Sequence, residues 1–438
     1  MTQNLKSWCK QVISNILAYE ARWLLRKHRP KIVAVTGSVG KTSTKDAIYT
    51  ILASAYRVRK SEKSYNSETG LPLTILGRKS AWLSPWGWTK VILAGASDLL
   101  FPTKYPEWLV LEVGADRPGD ISKMMKWLKP DIGVLTRLPE VPVHIEFFPD
   151  REGVVKEKMA LVHGVKKDGI VIYNFDDETL RERAQKLTVR TLSYGFSPEA
   201  DIYASNIQTL YEEAGGRTRP AGISFKLNTN GQIIPIRIKE VVGDHQVYCV
   251  LAAIAVGVAT ELNIVSVAEE IQTALVTPPG RLKLILGIKG AMLLDDTYNS
   301  SPAALEAALM TLNKLEGAGR KVAVLGDMLE LGEYTIEAHR QAGRLAAETL
   351  DYLVAVGLRA KFIVEGALEG GMKVEQIKSF HTALEAGKFL DSFIESGDLV
   401  LIKGSQGMRL ERVVEEVMAE PLRAGELLCR QEPEWKAR

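Results

Sequence analysis

The chain has 438 residues with 46% hydrophobic and 25% charged side chains, an ordinary globular balance that calls for two or three domains rather than a single core. A net charge of +3 is too small to argue for a nucleic-acid partner. Cys9, Cys249 and Cys429 lie far apart with no CxxC pair, which argues against a disulfide framework or a zinc site and predicts a reducing, cytoplasmic setting.

Residues 1–30 form a compositional unit. Leu5, Trp8, Cys9, Val12, Ile13, Ile16, Leu17 and Leu24 recur at helical spacing, and Lys6, Lys10, Arg22, Arg26, Lys27 and Arg29 surround them with a single acid, Glu20. The pattern predicts a basic amphipathic helix. Two placements stay open for it: on an anionic membrane surface, as a peripheral contact, or packed on the rest of the protein. No apolar run reaches the ~18–20 residues that span a bilayer.

Lys31–Thr44 reads KIVAVTGSVGKTST. Ile32–Val35 predict a buried parallel strand, and Gly37 and Gly40 allow a tight turn whose N–H groups point inward, with Ser38, Val39 and Ser43 beside them. Lys41 supplies a charge for β/γ-phosphates, and the Thr42 hydroxyl suits Mg²⁺. The motif is the shorter T-G-x-x-G-K-T form, because Val35 stands where the longer pattern has its first glycine. It predicts ATP binding.

Beyond the loop, strands at 31–36, 107–113, 131–136 and 169–173 alternate with helices at 41–54, 118–129, 151–166 and 177–187, which predicts a mostly parallel sheet covered on both faces. Residues 80–108 carry Trp82, Trp86, Trp88 and Trp108 in an apolar stretch, expected to form buried core or a lid rather than a surface for lipid or a partner. Residues 190–240 predict a small antiparallel appendage, followed by helices at 245–260 and 264–275. Pro278-Pro279-Gly280 reads as a linker. A second unit follows, with strands near 282–288, 291–296, 321–325, 352–356 and 398–402. The expected fold is α/β: a central P-loop parallel-sheet ATPase domain with the antiparallel appendage over 31–278, then a Rossmann-like α/β domain over 279–438.

The ordered set TGSVGKTST, LEVGADRPGDI, HIEFF, NFDDE, GDHQ, PPGRL, LLDDTYNSSP, VLGDMLELG and KGSQGM resembles the Mur ligase family from about residue 31 to 420. The resemblance implies an ATP- and Mg²⁺-dependent amide-bond ligase of cell-wall precursor assembly. DDTYNSSP and GDMLELG pull it toward the branch that joins D-alanyl-D-alanine to a UDP-muramoyl-tripeptide through an acyl phosphate. Family members usually carry a UDP-gripping domain before the phosphate loop; thirty residues precede it here, so the expectation is a member without that domain. A Mur-type ligase acting on another wall peptide or a non-UDP carrier stays open beside the first reading, as does a scaffold without turnover, against which the intact motif residues argue.

Glu112, at a predicted strand end beside the loop, suits Mg²⁺, and the family match in LEVGA strengthens that role. By resemblance alone, His144 helps bind a second Mg²⁺, and Lys158, rather than nearby Lys156, is the lysine the family carbamylates to support that metal. Asn174, ahead of Asp176 and Asp177, follows a strand and either touches nucleotide or belongs to a capped turn. His245 and Gln246 fall where the family binds adenine; Cys249 replaces a usual asparagine there and leaves one hydrogen bond unmatched. Arg281 is expected to reach the phosphates on domain closure. Asp296, Tyr298 and Asn299 are expected to contact ATP or the incoming amine, and Asp327, Lys403, Gly404 and Ser405 the dipeptide.

Overall fold

The computed structural model describes residues 2–62, 65–82, 84–214, 216–317 and 319–436, excluding the side chains of residues 2–7, 9, 10, 214 and 217. Leu5 and Cys9 of the predicted apolar face therefore lie outside the described side chains.

Two sheets organise the chain. The first comprises β1 Lys31–Thr36, β2 Val58–Lys60, β3 Trp108–Glu112, β4 Ile132–Leu135, β5 Ile170–Asn174, β6 Arg190–Gly195, β7 Ile202–Ala214, β8 Arg217–Thr229 and β9 Gln232–Lys239, in the order β2-β3-β1-β4-β5-β6-β7-β8-β9. Pairing is parallel from β2 to β7 and antiparallel through β7, β8 and β9. The antiparallel strands thus continue the main sheet edge to edge, and β6, expected with them, joins the parallel part.

The helices of this lobe are α1 Thr2–His28, α2 Lys41–Ala53, α3 Gly70–Leu76, α4 Pro85–Leu100, α5 Asp120–Met125, α6 Arg151–Gly164, α7 Glu178–Ala184, α8 Asp244–Ala259 and α9 Ile264–Ala274. Successive strand residues point to opposite faces, so Val33, Val35, Val110 and Val134 meet α2, α8 and α9 on one side. Ile32, Ala34, Leu109 and Leu111 meet α1, α3 and α5 on the other. Double coverage explains why β3, β4 and β5 are wholly buried.

The N-terminal helix packs on its own protein. Ser14, Leu17, Glu20, Ala21 and Leu24 are buried, while Trp8, Ile16, Tyr19 and Trp23 face outward, so the predicted apolar face is split between two sides. The expectation of buried core or a lid over 80–108 is met only in part: Tyr105 and Trp108 are buried, but the neighbouring α4 is largely open. Only Gly95 of α4 is buried. Trp88, Val91, Ile92 and Leu99 rest against the core, whereas Trp86, Leu93, Leu100 and the adjoining Phe101 are exposed. Lys27 ties the two helices together, donating to the carbonyls of Asp98, Leu99 and Phe101 at 2.9, 3.0 and 2.8 Å, where a cation suits a helix C-terminus.

The second sheet contains β10 Lys283–Leu286, β11 Met292–Asp296, β12 Lys321–Gly326, β13 Tyr352–Val356, β14 Ile377–Phe380 and β15 Leu399–Lys403, in the order β10-β11-β15-β12-β13-β14. All neighbours are parallel except β10 and β11. One face is covered by α10 Pro302–Lys314, α11 Thr335–Thr349 and α12 Lys361–Glu369, the other by α13 Ala383–Phe393 and α14 Glu411–Val417.

Candidate active site

The first sheet reverses its winding at β1, which pairs with β3 on one side and β4 on the other. The crevice beyond such a switch point is the usual ligand position of an open parallel sheet. Here it receives the turn between β1 and α2. Gly37 has φ 140° and Gly40 φ 82°, conformations open to glycine and strained for other residues. A Cβ on Gly37 would also lie 2.0 Å from Thr136 Oγ1. The Thr136 hydroxyl donates to the Val39 carbonyl at 2.7 Å, and the Ser38 N–H to the Arg137 carbonyl at 2.8 Å, which holds the turn against the end of β4.

Thr42, in the first turn of α2, donates from Oγ1 to Glu112 Oε2 at 2.9 Å. Asn66 Nδ2 donates to the other carboxylate oxygen at 3.1 Å, so Glu112 is oriented from both sides. Arg281 arrives from beyond the linker. Its Nη2 donates to Thr42 Oγ1 at 3.0 Å, and its guanidinium carbon lies 4.1 Å from the centre of the Tyr298 ring. The Arg281 Nε and the buried Ser38 hydroxyl have no hydrogen-bond partner among the described residues.

Together these groups bound a cavity between the lobes, into which Lys41, Ser43, Asn174, His245 and Gln246 also project. Asp296, Asn299 and Lys403 complete its far wall; Lys403 Nζ lies 2.6 Å from Asp296 Oδ2 and donates to the Asn299 carbonyl at 2.9 Å. Burial lowers the Lys41 pKa, partly opposed by Glu112. Burial likewise lowers that of His245, which favours the neutral imidazole.

Lys158, on α6, is buried, and burial with the nearby Lys41 charge pushes its pKa down to about 7. Among the described residues no acceptor or carboxylate lies within bonding distance of it. Its neighbour Glu157 instead accepts the backbone N–H groups of Gly119, Ile121 and Ser122 at 2.8, 2.6 and 3.0 Å, fixing the start of α5. Lys156 is exposed, so the two lysines have different surroundings.

His144 has φ 66° and bridges the lobes: Nδ1 lies 2.5 Å from Glu330 Oε2, and Nε2 3.6 Å from Asp116 Oδ1. It shares an adjoining recess with Lys41, Glu112, Tyr298 and Ser405. Cys249 sits beneath the phosphate loop with its thiol directed at the Gly40 carbonyl at 3.7 Å, and burial pushes its pKa up to about 11. It backs the turn. Asp177 caps α7 through the Leu180 N–H, and Asp176 accepts from the Tyr248 hydroxyl at 2.8 Å. Asp327 accepts the N–H groups of Arg359 and Ala360 at 3.0 and 2.8 Å, a turn-forming role away from the cavity. Asn66, Asp116, Arg137, Tyr248 and Glu330 line the site without having been anticipated; only tertiary proximity to the loop marks them.

Oxygen donors such as Thr42 Oγ1 and the Glu112 carboxylate suit Mg²⁺, which favours one or two protein ligands completed by water and phosphate. Among the described residues no group of three or more His, Cys, Asp or Glu forms a self-sufficient metal cage.

Two α/β lobes shut on a glycine-rich phosphate loop, with an arginine of one lobe bonded to the loop threonine of the other, define a nucleotide-dependent group-transfer architecture. The chain matches the Mur ligase middle domain over residues 35–84 and 91–257, and the Mur ligase glutamate ligase domain over 280–406. It is 31% identical over 403 residues to the UDP-N-acetylmuramoyl-tripeptide–D-alanyl-D-alanine ligase of Bacillus subtilis, spanning 92% of this chain and 79% of that one. It superposes on MurF from Acinetobacter baumannii with a TM-score of 0.74 at 25% identity, covering 92% of this chain and 79% of the other. For MurF from Thermotoga maritima in complex with ADP the TM-score is 0.73 at 27% identity, covering 92% and 83%. The chain belongs to the Mur ligase family.

Proposed function

We propose that this protein is an ATP-dependent ligase that joins D-alanyl-D-alanine to UDP-N-acetylmuramoyl-tripeptide during peptidoglycan precursor synthesis. The observation that carries the reading is the Glu112–Thr42–Arg281 chain of hydrogen bonds, which links the metal-suited carboxylate, the loop and the second lobe across one cavity. The domain limits that accompany it are 31–278 and 279–438, with the helix of residues 1–30 packed on the first of them.

Joining a carboxylate to an amine is uphill in water, and phosphorylating the acid first creates a good leaving group. The site must therefore bind phosphate, neutralise charge and exclude water; no protein nucleophile is required. In this reading the loop N–H groups of residues 37–43 hold ATP phosphates, and Lys41 balances their charge. Arg281, stiffened by stacking on Tyr298, presents its fork to the transferring phosphoryl group when the lobes are closed. Asn174, His245 and Gln246 form the nucleotide side, and Asp296, Tyr298 and Asn299 the side of the incoming amine. Thr42 and Glu112 would hold Mg²⁺, with His144 and a carbamylated Lys158 at a second position; bound there, the metal would polarise phosphoryl oxygens. An amine of pKa about 7, buried with no partner among the described residues, is partly neutral at physiological pH and so able to take up CO₂.

The deciding experiment measures ADP release with UDP-N-acetylmuramoyl-tripeptide, with and without D-alanyl-D-alanine, and the product mass. Release that requires the dipeptide and adds its mass to the acceptor supports the reading; active protein indifferent to the dipeptide refutes it.

The reading places the protein in the cytoplasm; α1 packs on its own protein, and its outward side leaves a peripheral membrane contact open. Among the described residues no helix is long and apolar enough to cross a membrane. The outward Tyr19 and Trp23 of α1 adjoin α4, whose Leu93, Leu100 and Phe101 are exposed, a combination suited to the headgroup–acyl boundary.

A further inference from the structure

The opposite flank of α1 carries a different chemistry. A groove of about 970 Å³ runs between α1, the 66–69 segment and α5 with the turn that follows it. Seven of its lining residues are Lys or Arg and one, Glu68, is acidic. Two of the cations are paired: Lys166 Nζ lies 2.7 Å from Asp131, and Lys123 Nζ 3.6 Å from Glu68. Arg22, Arg26, Arg29, Lys126 and Lys129 have no carboxylate within ion-pair distance among the described residues.

Like charges gathered on a concave surface repel one another, and the low-dielectric walls strengthen their field. Arg22, Arg26, Arg29, Lys126 and Lys129 are all solvent-exposed, and the fold gathers them around one groove from segments that lie about a hundred residues apart in the chain. Arg22 is also held in place. Its guanidinium carbon lies 5.3 Å from the centre of the Trp127 ring, a stacking contact that orients the fork without using its N–H donors. Such an arrangement suits phosphate oxygens, which accept from arginine in pairs.

The position adds a second argument. The 65–69 segment is a wall shared with the reaction centre: Tyr65 and Asn66 face the recess, and Asn66 bonds Glu112, while Glu68 faces the groove. The 116–123 stretch does the same, with Asp116 on the recess side beside His144 and Lys123 on the groove side. An elongated molecule with its acid at the recess would pass over Lys123 and end among the free cations. The groove volume exceeds what a single phosphate needs.

We propose that this groove binds the diphosphate of the acceptor substrate, anchoring the far end of the molecule whose carboxylate is activated at the phosphate loop. The inference rests on the function proposed above and adds to it where the acceptor's charged end lies.

The test uses the full chain with the phosphate loop filled by a non-hydrolysable ATP analogue, so that diphosphates cannot enter it. UDP is titrated into the wild type and into Arg29→Gln/Lys126→Glu/Lys129→Glu, and inorganic pyrophosphate is used as a competitor. The wild type binds UDP, pyrophosphate displaces it, and the triple variant binds at least about tenfold more weakly. In turnover assays the variant's KM for the acceptor rises by a similar factor, while its KM for ATP stays near that of the wild type and reports an intact loop. The wild-type acceptor KM also climbs between 50 and 200 mM salt, more steeply than that of the variant. Equal UDP binding in both proteins, or none in the wild type, overturns the proposal. So does a variant that loses only adhesion to anionic vesicles, which would make the groove a lipid-headgroup site. If the wild type binds UDP here but never turns over the tripeptide acceptor, the proposed reaction fails and the diphosphate site stands.

Discussion

Replacing Arg281 by alanine removes a guanidinium that reaches across the inter-lobe cavity to Thr42 Oγ1 at 3.0 Å and stacks on Tyr298 at 4.1 Å. The Gln246 amide bonds the Arg281 backbone carbonyl at 2.9 Å, so the main chain keeps its anchor in the variant. What is lost is a charge-assisted donor, together with an Nε–H unpartnered among the described residues, at the place where the proposed reaction builds charge during phosphoryl transfer. Preorganised donors of this kind are worth about 2.7–4 kcal/mol, or roughly 100- to 1,000-fold in turnover. Because the guanidinium belongs to the second lobe while the proposed function puts ATP phosphates on the first, the loss should fall on kcat, with the KM for ATP changing by less than about fivefold. Arg281→Lys keeps the charge and loses the fork, and should recover only part of the rate. Steady-state ADP release on the two variants decides the matter. A raised KM for ATP with kcat intact would mean that Arg281 only grips the ground state, and the closure argument would be wrong.

Further outcomes follow from the same geometry. Lys158→Ala should lose about 100-fold in turnover and regain part of it with added acetate or formate, which can enter the vacated space as a carboxylate; unchanged turnover would contradict the assigned role. Gly37→Ala places a Cβ 2.0 Å from Thr136 Oγ1 at φ 140°, and should weaken ATP binding by tenfold or more in a calorimetric titration, with the secondary structure retained by circular dichroism. Glu20 lies buried between α1 and α4, and burial, reinforced by Asp98, raises its pKa from 4.5 to about 7. An acid with a raised folded-state pKa loses stability as pH climbs from 4.5 to 7, and the whole cost is present above that. The full shift corresponds to about 3 kcal/mol, which solvent screening at the helix surface reduces to about 1–2 kcal/mol. Glu20→Gln should therefore slow hydrogen exchange of the α1 amides at pH 8 and leave it unaltered at pH 4; equal exchange at pH 8 would refute the burial cost. Trp23→Ser/Leu100→Ser should reduce co-sedimentation with anionic vesicles severalfold, and undiminished sedimentation would count against the outward α1–α4 face as a membrane contact.

The glycine-rich loop opening α2, the alternation of strands and helices and the presence of a second α/β sheet were all legible in the chain. Each is written in near neighbours: two glycines placed for a turn, a lysine and threonine opening a helix, apolar periods of two and of 3.6 residues. Local patterns of that kind survive folding because the backbone conformations they favour are used directly. Short elements escaped notice. Val58–Lys60 and Ile377–Phe380 are too brief to show a period, and Gly70–Leu76 is a seven-residue helix buried all round, with no polar face to reveal it.

Contacts between distant segments were decided by tertiary structure alone. Nothing near Glu112 in the chain announces that Asn66 will steady it, nor does His144 foretell a partner at Glu330 in the other lobe. The aromatic stretch 80–108 was expected to be core or lid, and Trp108 is core while half of α4 is not, because composition reports hydrophobicity without saying which side chains find neighbours. In the fold, α1 covers one flank of α4 and leaves Leu93, Leu100 and Phe101 in the open. The basic groove is the same lesson with charge in place of apolar area: its cations stand a hundred residues apart and become one surface only when α1 lies beside α5. Sequence determines which local conformations are affordable and which chemical groups are present; close packing determines which of those groups share a site, since burial, pKa and reach all depend on neighbours supplied from elsewhere in the chain.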